Sequence, residues 1–411
     1  MKLKSLMLAV LSGMTFTAAF AEEGEWNVSW DGTLYAYSTS TELRTDSLLN
    51  PNNLIARLPR HNQIAEARFN FKAENDSLRL ILRPIMLWQQ NSNGFGDQIQ
   101  SETYVSQGQL RWRIAEAWNV AAGREVMNWG PGQFRSPSNP FYFDNGRSNP
   151  IRELSGLDAV KLSWTADTRH AISLAYIGSS GHYEGATDTW RDTWLFRATK
   201  REAKWAGGLA IAKKQGQQTF AGTDIQYTLH DAVLLYGEAG SSTRLNALKS
   251  SAEVTQPFSV EAESSRNINE LIGASYTLDN GQSLSAEYLH QGHGLSASEE
   301  IAYFERAANA VLPAGAAILG MALANAPPLL GQEYMHLLWQ NNFLEGDTYW
   351  RLMLTHSITD GGNQVSGYGE KSLNKRASGF LLGMLSIGNS RQEFSSLIGN
   401  IATAGIKIAL P

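Results

Sequence analysis

The sequence predicts an all-β chain folded as a single transmembrane antiparallel up-and-down β-barrel of eighteen strands, with sixteen as the alternative even count. Three observations lead there. Apolar and polar residues alternate in stretches of roughly ten residues, as where Leu110, Trp112 and Ile114 interleave with Gln109, Arg111 and Arg113. The gaps between stretches run short, then long, then short again. The polar faces carry several arginines, which an ordinary sheet over a dry core does not tolerate. A period of two sends successive side chains to opposite faces of a strand, so each stretch has one oily face and one wet face. Oily outside and charged inside describes a closed barrel in lipid with water in its lumen.

The beginning of the chain supplies an address. Lys2 and Lys4 precede an apolar run from Ser5 to Phe20, and Ala19-Phe20-Ala21 has the small-x-small form of a cleavage site. Residues 1–21 are therefore expected to be a secretory signal peptide and residues 22–411 the barrel. Loss of that segment removes two lysines and moves the formal charge from −5 to −7, from 32 basic and 39 acidic residues. No cysteine is present, in keeping with a barrel that closes its own hydrogen-bond ladder and needs no disulfide.

The alternation places strands near 26–37, 63–72, 78–88, 103–114, 119–127, 158–164, 170–177, 193–199, 205–212, 220–229, 232–240, 270–278, 283–290, 333–341, 348–358 and 378–387, with two more near 392–398 and 401–410. Tight connections such as Ala73-Glu74-Asn75-Asp76, Ala115-Glu116-Ala117 and His230-Asp231 alternate with long ones near 38–62, 89–102, 129–156, 241–269, 291–332 and 359–377. Short periplasmic turns and long external loops give this parity in outer-membrane barrels. Trp164, Trp205 and Trp350 flank short turns, whereas Trp88, Tyr104, Tyr176, Trp194 and Tyr288 flank long loops, as two interfacial rings require. The last strand ends Ile408-Ala409-Leu410-Pro411, without the usual terminal aromatic residue.

Charge singles out one wall. Arg68, Lys72, Arg79, Arg83, Arg111 and Arg113 fall on the non-lipid faces of three consecutive strands, because a charge on the lipid face costs roughly 2–4 kcal/mol at the membrane midplane. Glu66 lies within this ladder, and Asp224, Glu238 and Glu287 supply inward acids later in the chain. A basic wall opposed by acids sets a transverse field that favours anions near the ladder. The alternative is that these side chains pair with one another and plug the lumen.

The most distinctive local sequence runs from Gly123 to Asp158. Gly123-Arg124-Glu125-Val126-Met127-Asn128-Trp129-Gly130 leads into a loop rich in Pro, Gly and Asn that contains Phe141-Tyr142-Phe143-Asp144-Asn145-Gly146-Arg147. It resembles the Gly-Arg…Trp-Gly strand end and following loop of porin-like Gram-negative outer-membrane channels, alginate-export-like ones among them. That resemblance implies that Arg124 and Glu125 sit near the channel mouth and that the loop folds inward as a constriction. Trp129, Arg135, Arg147 and Arg152 belong to that constriction loop, and the three arginines could meet an anionic solute. The alternative for the loop is packing outside the membrane.

The connection at 291–332 reads as a helical insertion near 296–326. Ser296 and Glu299 have capping-box spacing, and Ile301, Phe304, Ala308 and Val311 would share one helical face. A second apolar piece from Ala314 to Ala326 lies between Pro313 and Pro327 and is too short to span a bilayer. The segment is then a helical hairpin inside the lumen, a lid over the mouth or an external membrane-touching loop, and a cap or gate over the channel is the expected role.

Enzyme chemistry is not indicated. His290 and His293 stand where a strand meets a loop with no third metal ligand nearby in sequence, and no Gly-x-Ser-x-Gly elbow is present. Asp188 and Asp192 near His182 only faintly resemble a protease mouth. No cofactor, metal or nucleic acid is expected. The sequence therefore points to an outer-membrane channel for small polar solutes, anionic or saccharide-like. An exopolysaccharide secretion channel and a non-conducting polysaccharide-binding barrel are the alternatives, and apolar solutes would need a hydrophobic lining around 291–332. The expected partners are outer-membrane lipid and lipopolysaccharide, the barrel-assembly machinery, and the solute or polysaccharide itself.

Overall fold

The computed structural model of the protein describes residues 25–182, 190–216, 219–342 and 346–410. The expected signal peptide at 1–21 and Asp188 lie outside these residues.

Eighteen antiparallel strands form one closed sheet. They are β1 (Asn27–Leu43), β2 (His61–Glu74), β3 (Leu78–Ser92), β4 (Asp97–Ala115), β5 (Trp118–Glu125), β6 (Leu157–Thr165), β7 (His170–Ser179), β8 (Thr193–Arg201), β9 (Trp205–Lys214), β10 (Phe220–His230) and β11 (Val233–Ser242), followed after an interruption by β14 (Asn267–Thr277), β15 (Ser283–Gln291), β16 (Glu333–Gln340), β17 (Thr348–Ser357), β18 (Asn363–Ser372), β19 (Ala377–Ile387) and β20 (Ile398–Leu410). Each strand pairs with its neighbours in sequence, and β1 pairs with β20 from Gly32↔Leu410 to Leu43↔Ile398, so no sheet edge is left open. The interruption between β11 and β14 is a small external hairpin of β12 (Leu245–Leu248) and β13 (Val260–Glu263). Between β15 and β16 lie α1 (Ala297–Asn309) and α2 (Ala316–Asn325).

The outward face is apolar, as period two requires. Val160, Ile225, Ile272 and Leu381 are all more than half exposed, while their sequence neighbours Ala159, Asp224, Leu271 and Phe380 are buried on the inside. Aromatic pairs mark both rims: Trp118 with Trp164 and Trp339 with Trp350 beside short turns, Tyr176 with Trp194 beside a long loop. Changing Ile272, 64 % exposed at the centre of β14, to arginine is expected to destabilise the barrel by about 2–4 kcal/mol in lipid, read from urea unfolding in vesicles.

Two strands differ from the sequence reading, and the differences offset each other. The stretch at 359–377, expected as a loop, contains β18. Its outward residues are Val365, Gly367 and Gly369, too small to register as an apolar face, and Leu352 lies over Gly367. The stretch at 392–398, expected as a strand, is instead loop with a single 3-10 turn at Glu393–Ser395. The connection expected at 89–102 shrinks to 93–96, because β3 and β4 continue as a polar hairpin through Gln89, Gln90 and Asn91 that no apolar alternation marks.

Candidate functional site: a constriction loop and a roofed mouth

The connection from β5 to β6, residues 126–156, lies inside the barrel and crosses it. On one side Arg68 of β2 donates to the Ile151 carbonyl at 2.7 Å, and Ser106 of β4 donates to Glu153 at 3.0 Å. On the other side two buried wall carboxylates take up loop donors. Glu238 of β11 accepts from Gly132 N–H at 2.7 Å, Ser136 Oγ at 2.6 Å, Ser138 Oγ at 2.7 Å and Ser138 N–H at 3.2 Å. Glu287 of β15 accepts from Gln133 N–H at 2.6 Å, Phe134 N–H at 2.8 Å and the Tyr236 hydroxyl at 2.7 Å. Buried acceptors must be satisfied, and bonds to a charged acceptor are the strong ones, so these two residues are the loop's principal anchors.

Apolar packing completes the seating. Met127, Phe141 and Tyr142 join the inner faces of β6 to β9 through Leu157, Ala175, Leu195 and Ala210. Ile151 packs on Tyr368 and Phe380. Phe134 stacks on His336 of β16, ring centroids 4.8 Å apart. Two glycines of the wall allow this close approach: a Cβ on Gly240 would lie 1.9 Å from the Pro137 carbonyl oxygen, and one on Gly222 would lie 2.5 Å from that of Ser138.

The residues expected to form the constriction are brought together in this loop. The Trp129 indole donates to the Ser138 carbonyl, and its ring lies under Arg197 at 4.4 Å. Arg135 covers Phe134, and Arg147 donates to the carbonyls of Gly130 and Gly132. Arg152 pairs with Asp144 at 2.8 Å. A cavity of about 300 Å³ opens beside the loop, lined by Gln107, Val126, Asn145, Gly146, Arg147, Arg152, Glu153 and Leu154.

The basic ladder lines the inner wall from the constriction to the short-turn end, but not as free charge. Arg68 pairs with Glu66 at 2.8 Å and Glu153 at 3.6 Å, Arg79 and Lys72 share Glu74, and Arg111 and Lys161 share Glu125. Arg83 donates to Asn70, and Arg113 is exposed. Between the constriction and the short-turn end, the inner faces of β2 to β6 thus carry seven basic side chains (Arg68, Lys72, Arg79, Arg83, Arg111, Arg113, Lys161) against three acidic ones (Glu66, Glu74, Glu125), a surplus of four positive charges.

Three expectations need correction. Arg124 does not face the lumen: it pairs across strands with Asp158 at 2.7 Å on the face that carries Trp118, Val160 and Leu162, while its neighbour Glu125 points inward. A carboxylate opposite it neutralises a charge on the outer wall, which alternation alone reveals only when the phase of both strands is counted. Asp224 does not oppose the ladder as free charge, since Arg197 pairs with it at 3.0 Å. Glu287, like Glu238, is an anchor for the loop.

A second layer closes over the mouth. Ser296 N–H donates to Glu299 at 2.9 Å, starting α1 as a capping box does. The buried face of α1 is Glu300, Tyr303, Phe304 and Ala307; Ile301 is 64 % exposed, so the face expected from Ile301, Phe304, Ala308 and Val311 is rotated. Tyr303, Phe304, Leu319 and Ala322 pack with Leu49 of the β1–β2 loop, Leu248 and Phe258 of the β12–β13 hairpin, and Leu397 of the β19–β20 loop. In the ring of eighteen, β2 and β11 stand nine places apart, so this apolar cluster joins opposite rims and roofs the opening. Of the residues weighed for chemistry, His182 stacks on Tyr104, Asp192 accepts from Tyr176, and His290 lies in register with Glu270 and Glu333.

The architecture is therefore a closed eighteen-stranded up-and-down β-barrel, and its apolar belt fits an outer-membrane location. Solved structures share it. The Pseudomonas aeruginosa protein OccK11 (OpdR) superposes on 93% of this chain and 96% of its own, with a TM-score of 0.55 at 11% identity. OccK5 (OpdH) from the same organism does so over 94% and 98%, with a TM-score of 0.53 at 8% identity, and OprD over 94% and 97%, with a TM-score of 0.53 at 11% identity. These likenesses show a common fold. No protein-family model and no curated protein matches the sequence.

Proposed function

We propose that the chain is an outer-membrane diffusion channel for small polar solutes, with anions and anionic saccharides favoured. The observation that carries this reading is the inward loop. It narrows the lumen above a wall with a net positive surplus, which is how a pore combines a size limit with a charge preference. The fold shared with OccK11, OccK5 and OprD supports a channel at the level of architecture. A tunnel for exporting polymer would need a wide lumen, and residues 126–156 occupy that space.

The roof favours a second reading, a barrel that anchors surface loops without conducting. Deleting 297–328 separates the two. A channel gated by this segment is expected to conduct several-fold more current in planar bilayers after the deletion. No current from either protein would overturn the channel reading.

A further inference from the structure

Glu300 is the most deeply buried charge-bearing group in the roof, 2 % exposed, and among the described residues neither of its carboxyl oxygens meets an N–H or O–H donor. It faces Asp360 of the β17–β18 loop, with Glu393 of the β19–β20 loop beyond. Asp360 is satisfied as an anion: its Oδ1 accepts the Gly362 N–H at 2.8 Å and its Oδ2 the Glu393 N–H at 2.6 Å. An ionised carboxylate can only accept, so two of them side by side with no donor between are held together by a proton on one. Glu300 is the one with nothing else to accept, so it is the donor, and Asp360 is the acceptor.

We propose that this shared proton is a latch, by which α1 holds the roof shut at low pH and releases it when Glu300 ionises; this rests on the channel reading above. The surroundings give the released charge no rescue. On its own helix, Arg306 is turned to the Ser251 carbonyl and the Phe258 ring, Glu299 caps Ser296, and Glu305 pairs with Arg391. Arg244, at the base of the β12–β13 hairpin, donates to the Ala326 carbonyl. Glu393 is already engaged by the Tyr334 hydroxyl and the Leu330 and Gly331 N–H groups, and its field reaches Arg135 of the constriction loop. Burial, with Asp360 and Glu393 beside it, pushes Glu300 up to about 10, and burial pushes Glu393 up to about 7. Both values lie above the ordinary carboxyl range. The latch is therefore complete below that range, weakens as pH rises above it, and is lost as pH passes through about 10, where Glu300 itself ionises.

Planar-bilayer conductance of the refolded protein at about pH 5.5 and about pH 11 tests this, with a rise of about threefold or more expected at the higher value. In Glu300→Gln the amide donates to Asp360 at every pH, so the current is expected to stay low at both. The 297–328 deletion is expected to conduct strongly at both. Equal wild-type currents at the two pH values overturn the latch and leave the channel intact, and this comparison needs no variant. A Glu300→Gln response that tracks the wild type overturns it as well. Absence of current from all three proteins at both pH values overturns the channel and the latch together.

Discussion

Glu238→Gln combined with Glu287→Gln is expected to free the constriction loop while leaving the barrel closed. Glu238 alone receives four loop donors, and Glu287 two from the loop and one from Tyr236. A glutamine presents one acceptor oxygen and two N–H groups that point at donors, so several loop N–H and O–H groups lose their partner. Each unmet buried donor costs about 1–3 kcal/mol, and together they exceed what the remaining contacts of residues 130–138 can offset. The strand ladder is untouched, so the unfolding midpoint in lipid should fall far less than the loop's order. Single-channel recordings should show larger and noisier openings. Quiet openings of unchanged size would refute the anchoring role of the two glutamates.

Reversing charge on the ladder is expected to reverse selectivity. Arg79→Glu, Arg111→Glu and Arg113→Glu together change the inner wall by six charges, taking its surplus of four positive charges between the constriction and the short-turn end to a deficit of two. Arg79 and Arg111 are 45 % and 38 % exposed, so the ion pairs lost with Glu74 and Glu125 contribute only about 0–1 kcal/mol each, and the variant should fold. Under a potassium chloride gradient the reversal potential should change sign, from anion-preferring to cation-preferring, with the effect largest at low salt. Cation preference in the unaltered protein would remove the ladder from the account of function.

The fold was legible because a barrel in lipid obeys two strict rules, alternation within strands and parity between them. Both survive imprecise boundaries, and even the missed β18 was matched by a spurious strand at 392–398. What β18 lacks is bulk on its lipid face, where Leu352 of β17 lies over Gly367 and Gly369 faces open space. The ladder was legible for the same reason as the fold, because charge has only one affordable face. The anchoring of the loop was not. Nothing local in Tyr236-Gly237-Glu238 or Ala286-Glu287 distinguishes a carboxylate that faces water from one that receives a backbone more than a hundred residues away. Arg124 shows the limit of resemblance: the Gly-Arg strand end is present, yet the positive φ of Gly123 and the pairing with Asp158 place its guanidinium on the outer wall. The rotated face of α1 has a similar origin, since Glu300 and Arg306 are buried by loops that an isolated helix does not reveal.

The seating of residues 126–156 also dictates an order of assembly. The loop is made after the fifth strand, but its partners Glu238, Glu287 and Arg351 arrive roughly a hundred to two hundred residues later in the chain. The seam between β1 and β20 joins the two ends of the chain, and the roof of α1 and α2 packs on Leu49 and Leu397 from the loops beside it. A strand-by-strand insertion would therefore carry the loop along unsettled, on the concave side of a growing sheet. The loop must lie against that sheet before the last seam is sewn, for afterwards the doorway through which it could enter is covered.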